Sequence, residues 1–488
     1  MHTNFRDCKA WLDEKLPMNT TSNEASRLYD AALTQLVGFY DDPKLNGLLG
    51  SLESMVNEDP DFILGLCLKY GFTLFGANLL LNSAEARNNT SNLAKKALNL
   101  GSRITTRELM HVKAIEHLQV GNLSKAVDYW EDILLENPTD MLALKFAHTA
   151  YFYMGSGKEI SDSVARVIPL WSNSTPLYGY LHGMYAFGLT QINKLTQAES
   201  AARKALEINR RDTWATHAIS HVNEYNGEHE RGIQFLLETE NDWSSCAHLV
   251  PHNYWHLALY YLEKSEYEKV IDILDTKLKS DLANGASLML RLKMDGYNKS
   301  NDLLDYCWRD LKEKNLERID NQGYMYGGYH MAMVLSACGT EEEKSRYFKS
   351  LDDYVSSNDF DEESLLDSKV PNLIGSTVNE STKSSIKNFL KNVNNDLAFN
   401  LYSSVFDYNN GDYDNVVEKL YPIRYKIYRA GGSNAQRDIF NMILLQSAIR
   451  SNKAIYNKLG LSLLNERQAS KPNSNFTTRL ANKLTIDE

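Results

Sequence analysis

The residues with the clearest capacity for chemistry are histidines concentrated in one short part of the chain. Six of the 12 histidines lie between residues 217 and 256. Two pairs, His217 with His221 and His252 with His256, are spaced four residues apart, so on a helix each pair projects from one face. Two imidazoles at that spacing can chelate one metal ion through their ring nitrogens. This segment is therefore the first candidate for a site.

Two neighbouring residues extend this candidate. Glu224 follows His221 by three residues on the same predicted face, where it could bind a metal or accept a hydrogen bond that fixes an imidazole tautomer. Trp255 shares the predicted helix of the second histidine pair. The sequence contains no HExxH, no CxxC and no fixed zinc-site spacing. The histidines can therefore equally be buried, hydrogen-bonded residues or contacts for a peptide, with Trp255 packed between helices.

A second candidate is the segment AGGSNAQRDIF, residues 430–440. Its two glycines permit unusual backbone torsions, and the Ser-Asn pair that follows can cap a helix, whose N-terminus attracts anions. Arg437 and Asp438 add charge near that helix start, and in an enzyme Arg437 would bind a substrate anion. The alternative is a capped helix whose Arg437 and Asp438 pair with neighbours. If the chain closes on itself, this segment would face the histidine cluster.

The elements that must position these residues are helices. Apolar residues recur at i, i+3, i+4 and i+7 nearly everywhere, which predicts an all-α fold. Residues 107–140 contain Ala114, Gly121, Trp130 and Pro138 at the spacing of the roughly 34-residue tetratricopeptide (TPR) repeat. Further clear copies cover 179–212 and 251–284, and weaker ones fall at 140–175, 213–251, 397–431 and 441–472.

Each such repeat is a helical hairpin that cannot cover its own apolar face, so neighbouring hairpins must stack. Stacking with a constant rotation gives a superhelix, or α-solenoid, with a concave groove. The two histidine pairs fall on the first helices of consecutive repeats. We therefore expect His217, His221, Glu224, His252 and Trp255 to line adjacent parts of that groove, with His256 fitting the pattern less well.

Composition divides the chain into three parts. Residues 1–349 are predicted to form an N-terminal repeat array, and residues 397–484 a C-terminal one. Between them, residues 350–396 are rich in Ser, Asn and Asp, which is typical of a solvated linker or a long irregular connection.

The overall charge and the cysteines restrict the classes of partner and compartment. With 52 Lys and Arg against 63 Asp and Glu, the net charge is −11, the wrong sign for neutralising nucleic-acid phosphates. Five isolated cysteines encode no disulfide framework, so we expect a reducing, cytoplasmic location. The apolar stretch 62–81 contains Lys69 and lacks basic flanks, which favours a buried helix and no membrane association. Phosphate-binding glycine motifs and GxSxG are absent from the sequence.

Several longer runs resemble the tetratricopeptide repeat protein 38 family. They are RDCKAWLDEKLP (6–17), TTSNEA (20–25), PTDMLALKFAHTAYFYMG (138–155), HNYWHLALYYLE (252–263), GGSNAQRDIF (431–440) and ERQASKPNS (466–474). The resemblance implies an all-helical, cytoplasmic repeat protein, and it assigns no catalytic residue. The chain departs from the repeat pattern at Arg210, which stands where proline is usual.

Two functions from different classes are consistent with these residues. The first is a scaffold that binds a protein or peptide in its concave groove and needs no cofactor. The second is a metal-dependent or acid-base enzyme acting on a small molecule, with His217, His221, His252 and His256 as ligands of a divalent metal ion.

Overall fold

The computed structural model describes residues 4–76, 81, 83–246, 249–297, 301–357 and 397–484. Within these ranges every regular element is a helix, so the predicted all-α fold class is confirmed. The chain divides into two compact units, Met1–Leu257 and Ala258–Glu488.

The first unit consists of helices of mostly 10 to 17 residues joined by short turns. Their bounds are Cys8–Asp13, Asn23–Gly38, Gly47–Glu58, Ile63–Phe75, Ala84–Leu100, Thr106–Gln119, Leu123–Glu136, Met141–Met154, Gly157–Val167, Tyr178–Gln191, Leu195–Ile208, Thr213–Asn226, His229–Glu238, Glu240–Trp243 and Val250–Glu263, the last of which continues into the second unit. Short 3₁₀ turns lie at Pro43–Leu45, Gly101–Arg103 and Ile168–Leu170.

The second unit continues the same pattern. Its α-helices are Tyr267–Ile273, Leu282–Asp295, Asn301–Asn315, Met325–Cys338, Glu341–Ser357, residues 397–410, Tyr413–Leu420, Asn434–Arg450, Ala454–Ser470 and Asn475–Leu484. A π-helical turn at Leu274–Leu278 extends the first of them, and 3₁₀ segments lie at Leu316–Asp320 and Tyr421–Ala430.

Several of the predicted repeat segments contain two helices joined by a short turn. Residues 107–140 correspond to the Thr106–Gln119 and Leu123–Glu136 helices, and Gly121 takes a φ of 80° in the turn between them. A side chain at that left-handed torsion would be strained, which explains why the turn uses glycine. The segments 179–212, 213–251 and 251–284 likewise each begin with a 14-residue helix, which a second helix follows after a short turn.

Small residues allow these helices to approach closely. Ala186, Ala202, Ala205, Ala215 and Ala218 are all fully buried in one cluster that joins three consecutive helices. Methyl groups leave room for backbones to pack at short distance, and longer side chains would push the helices apart. This cluster fixes the position of the Thr213–Asn226 helix, which carries the first histidine pair.

A buried ion cluster, which the sequence analysis missed, connects successive hairpins of the first unit. Asp140 accepts hydrogen bonds from Arg107 at 2.7 Å and from the Ala143 N–H at 3.0 Å, and it lies 3.1 Å from His111. Burial would raise the pKa of Asp140, but the charges of His111 and Arg107 outweigh it and hold that pKa well below its usual range. Arg107 also donates to the carbonyl of Pro17, so it ties the N-terminal segment to this cluster.

The structure describes only part of the predicted connection, residues 350–396, and only part of the apolar stretch, residues 62–81. Residues 350–357 belong to the Glu341–Ser357 helix, and the remainder, 358–396, lies outside the described residues. Of the stretch 62–81, residues Ile63–Phe75 form a largely buried helix. None of the helices in the described ranges has the length and apolar character needed to cross a bilayer.

We expect Gly188→Ala to destabilise the first unit by about 2 kcal/mol, the usual range for overpacking a core. A Cβ at position 188 would lie 2.5 Å from the backbone nitrogen of Ser161 on the Gly157–Val167 helix, and backbone atoms cannot swing aside. Urea unfolding followed by circular dichroism measures the loss.

The matched control is Gly327→Ala, where a Cβ meets nothing within 4 Å. Because alanine favours a helix over glycine, that variant should be unchanged or more stable, by up to about 1 kcal/mol. Equal effects at the two positions would contradict the argument from close backbone approach.

Candidate metal centre

The first histidine pair is held by a helix with defined ends. The Thr213–Asn226 helix begins at Asp212, whose Oδ1 accepts the Ala215 N–H at 3.1 Å, and it ends at Gly227 with a φ of 68°. A side-chain cap at one end and a left-handed glycine at the other fix both the length and the rotation of the helix. The second pair lies on the Val250–Glu263 helix.

The structure brings all four histidines together. The ring centroid of His217 lies 4.5 Å from that of His221, 4.7 Å from that of His252 and 5.3 Å from that of His256. His221 and His256 are 4.5 Å apart, His252 and His256 are 4.9 Å apart, and His221 and His252 are 6.5 Å apart. One ring nitrogen from each residue lies within 4.8 Å of the other three. We call these four residues the histidine cluster.

The histidine cluster is enclosed by protein. The four side chains are 3%, 0%, 7% and 0% exposed, in chain order. The sequence analysis expected them to line adjacent parts of a groove, and the structure places the four imidazoles close together in the interior. Burial lowers the pKa of His217 well below its usual value, and the other three imidazoles lower it further. His217 is therefore neutral at pH 7, the form that binds metals.

The ring nitrogens of His217 indicate that a ligand binds at this position. Neither of its ring nitrogens has a hydrogen-bond partner among the described residues, although both are buried. Leaving buried polar atoms without partners costs free energy, and such atoms in a folded protein call for an explanation. A metal ion bound at the site would be the missing partner of one of these two nitrogens.

Glu224, which the sequence associated with the site, lies beside it. Its Oε2 is 3.4 Å from Nδ1 of His256, and the carboxylate is 11% exposed. This contact favours the tautomer with hydrogen on Nδ1, which leaves Nε2 free to bind a metal. Glu224 also supplies the negative charge that a buried cation needs nearby.

Aromatic side chains surround the histidine cluster. Phe187 stacks on His217 with 5.1 Å between ring centroids, and Trp255 stacks on His252 at 5.0 Å. Trp214 lies 6.2 Å from His217. These rings exclude water, which strengthens electrostatic interactions inside the site. Trp255 is fully buried, so it packs within this wall and has no face toward solvent.

The other predicted site residues belong to the second unit. Arg437 donates to the Gly431 and Gly432 carbonyls and to Asn434. Asp438 accepts two hydrogen bonds from Arg467, at 2.8 and 2.9 Å, and one from Lys471.

Both residues at this helix start thus have partners within the second unit. Burial would raise the pKa of Asp438, but the charges of Arg467 and Lys471 outweigh it and keep the residue ionised. Ser433 caps the helix through a reciprocal pair of hydrogen bonds with Gln436. These contacts match the structural alternative raised for this segment.

No protein-family model matches the chain. One further histidine of the 217–256 segment, His248, lies outside the described residues.

Asp212 is a buried residue near the site that the sequence analysis did not select. It is fully buried, its Oδ2 has no hydrogen-bond partner in the described part of the chain, and it packs against Gly183. Burial raises the pKa of Asp212 to about 7, despite the N–H groups of Ala215 and Trp214 that lower it. An aspartate before a predicted helix indicates a cap, but only the fold shows its burial.

We expect Asp212→Asn to gain stability relative to the wild type as pH rises from about 4 to about 7. The unfolded carboxyl loses its proton near pH 3.9, whereas the folded one retains it until about pH 7. The wild type therefore loses stability through that window, by at most about 1.4 kcal/mol per pH unit, and asparagine, which also caps helices, does not titrate.

Urea unfolding of both proteins between pH 4.5 and pH 8 measures this difference. Groups common to both proteins cancel in the comparison. Parallel stability profiles across the whole range would show that Asp212 is ionised in the folded protein.

Proposed function

We propose that this protein is a metal-binding helical-hairpin protein whose histidine cluster holds one divalent transition-metal ion. The observation that carries the proposal is the convergence of four buried imidazoles, from two helices, with ligand nitrogens within 4.8 Å of one another. The ring nitrogens of His217, which are buried without a hydrogen-bond partner among the described residues, also support a ligand at this position, because buried polar atoms need partners.

The ligand set indicates which ions fit. Imidazole suits Zn²⁺, Cu²⁺, Fe²⁺ and Ni²⁺, whereas Mg²⁺ and Ca²⁺ prefer oxygen ligands. Tetrahedral zinc with Zn–N bonds of about 2.05 Å needs nitrogens about 3.3 Å apart. The spacing of up to 4.8 Å therefore requires the rings to move inward by about 1 Å on binding. We propose zinc or iron as the occupant.

The chemistry of the ion depends on whether a coordination position is open. Four imidazoles satisfy a tetrahedral ion, as in structural sites, whereas catalytic zinc sites have three protein ligands and a water. We therefore propose that the ion primarily cross-links the Thr213–Asn226 and Val250–Glu263 helices. A metal-dependent enzyme, the alternative predicted from sequence, would need one histidine to detach or a fifth position to open.

Metal analysis of the purified chain tests this proposal. We expect close to one equivalent of zinc or iron per chain, and less than about a tenth in a His221→Ala, His252→Ala double variant. Removing the metal with a chelator should lower the melting temperature of the wild type, since an ion that binds only the folded state stabilises it by mass action.

The matched control is His182→Gln. His182 is a buried histidine of the same unit, at 5% exposure, and it is not part of the histidine cluster. This variant should retain full metal content. A wild-type chain with no bound metal, or a metal content that the double variant leaves unchanged, would overturn the metal proposal.

We expect Glu224→Gln to weaken metal affinity by about 10- to 100-fold, the usual effect of removing a carboxylate that orients a histidine ligand. Competition with a chromophoric chelator measures the affinity. Glu228→Gln is the control, because Glu228 pairs with Arg231 on the surface and should leave the affinity unchanged. Equal affinities for wild type and Glu224→Gln would remove Glu224 from the site.

The helical architecture and the sequence support three further proposals, which concern a binding partner, the protein family and the location in the cell. Stacked hairpins suit the binding of a protein or peptide partner, although the buried histidine cluster would not supply the contacts. Membership of the tetratricopeptide repeat protein 38 family is supported by the quoted runs and by the positions of the hairpins. A cytoplasmic location is supported by the five cysteines, all of which are free thiols.

A further inference from the structure

A lysine is buried in the first unit beside the wall of the histidine cluster. Lys145, on the Met141–Met154 helix, is 2% exposed. Its Nζ lies 4.2 Å from the ring centroid of Phe39 and 4.5 Å from that of Trp214. The described residues give it no ion pair with a carboxylate, which is rare for so deeply buried a lysine.

Two orphaned polar atoms accompany this amine. His148, one turn further along the same helix, packs edge-on against Trp214 at 5.1 Å. Its Nε2 lies 3.3 Å from the Met184 carbonyl, which can only accept, so Nε2 carries the hydrogen and Nδ1 is left as an acceptor. Neither Nδ1 of His148 nor Nε1–H of Trp214 has a hydrogen-bond partner within the described ranges, and both are buried.

The amine of Lys145 and the imidazole of His148 thus both lie against the indole ring of Trp214, whose own N–H is the unpartnered donor. A molecule that satisfied all three would present an electrophilic carbon to the amine, an oxygen to the indole N–H and a hydroxyl to the imidazole. A carbonyl group that becomes a carbinolamine meets this description, because its oxygen first accepts a hydrogen bond and then carries a hydrogen. The apolar ring of Phe39 suits a small apolar substituent on that carbonyl.

We propose that Lys145 forms an imine with a small aldehyde or ketone, assisted by His148 and Trp214. The Nζ lone pair attacks the carbonyl carbon, and Trp214 Nε1–H donates to the oxygen as negative charge develops there. His148 Nδ1 takes a proton from the nitrogen and returns it to the oxygen, which gives the carbinolamine. The second amine hydrogen then leaves with that oxygen as water, and the C=N bond forms.

The protonation states agree with these roles. Burial lowers the pKa of Lys145 to about 7, so about half of the amine is a neutral nucleophile at pH 7. Burial and the neighbouring charge of Lys145 lower the pKa of His148 to about 3, so Nδ1 is unprotonated at pH 7 and only relays a proton from the nitrogen to the oxygen without retaining it. This site goes beyond the proposed metal function, because no step above uses the ion.

Reductive trapping on the full chain tests the proposal. The protein is treated with acetaldehyde and cyanoborohydride at pH 7, and the alkylation of each lysine is followed by peptide mass spectrometry. Lys9 and Lys158 are internal references, because they are exposed and paired with Asp13 and Asp162. We expect Lys145 to react at least about tenfold faster than either, because ordinary lysines are almost fully protonated at pH 7.

Two results would overturn the proposal. One is alkylation of Lys145 no faster than that of Lys9 and Lys158. The other is a preference that persists in the urea-unfolded chain, since that would arise from local sequence and not from the buried site. Lys145→Met, which keeps the volume without the amine, should fold with an unchanged circular dichroism spectrum and lose the fast-reacting site.

A pair of His148 variants separates the acceptor from the donor. His148→Gln keeps a donor near the Nε2 position and removes Nδ1, so it should slow the alkylation of Lys145 about tenfold. His148→Asn keeps an acceptor near the Nδ1 position and should be closer to the wild type. Equal rates for wild type and His148→Gln would overturn the role of His148 as the base.

The lysine test remains independent of the metal test. The trapping is repeated in excess chelator and in the His221→Ala, His252→Ala variant. Fast alkylation of Lys145 under both conditions would support the imine site even if the chain bound no metal. If a metal were bound but Lys145 reacted slowly, the metal proposal would survive and the imine proposal would fail.

Discussion

The arrangement of the first unit around the site depends on one constraint: two helices must stay close enough for four imidazoles to share a small, dry volume. Each pair of histidines is fixed by its own helix, because residues four apart lie on one face. The distance between the pairs, however, depends on how neighbouring hairpins pack. The fully buried alanines on the Tyr178–Gln191, Leu195–Ile208 and Thr213–Asn226 helices fix the position of the helix that carries the first pair, since they allow close backbone approach.

The burial of the histidine cluster affects the charge states of the cluster itself and of the residues near it. A neutral imidazole is a metal ligand, and burial keeps His217 neutral. A divalent ion held by four neutral ligands would bring two positive charges into a medium of low polarity. Glu224 offsets part of that charge. Lys145, which has no carboxylate to pair with among the described residues, is better accommodated as a neutral amine.

The two candidate sites share the wall that Trp214 forms. Each site contains buried polar atoms that have no hydrogen-bond partner in the described part of the chain: the ring nitrogens of His217 at the first, and His148 Nδ1 and Trp214 Nε1 at the second. Natural cores rarely contain such atoms, because each one costs about 1–3 kcal/mol when it is left unsatisfied. Their concentration in one region of the first unit distinguishes that region from an ordinary core.

The sequence alone determined the fold class and the pairing of histidines within each helix, because both follow from local periodicity. It also identified Glu224, which follows His221 by three residues. Tertiary structure decided that the two histidine pairs converge in the interior and do not line an open surface. It also decided that Asp212, Lys145 and His148 are buried without full pairing. Burial depends on neighbouring helices that are distant in the chain, so a local sequence pattern does not predict it.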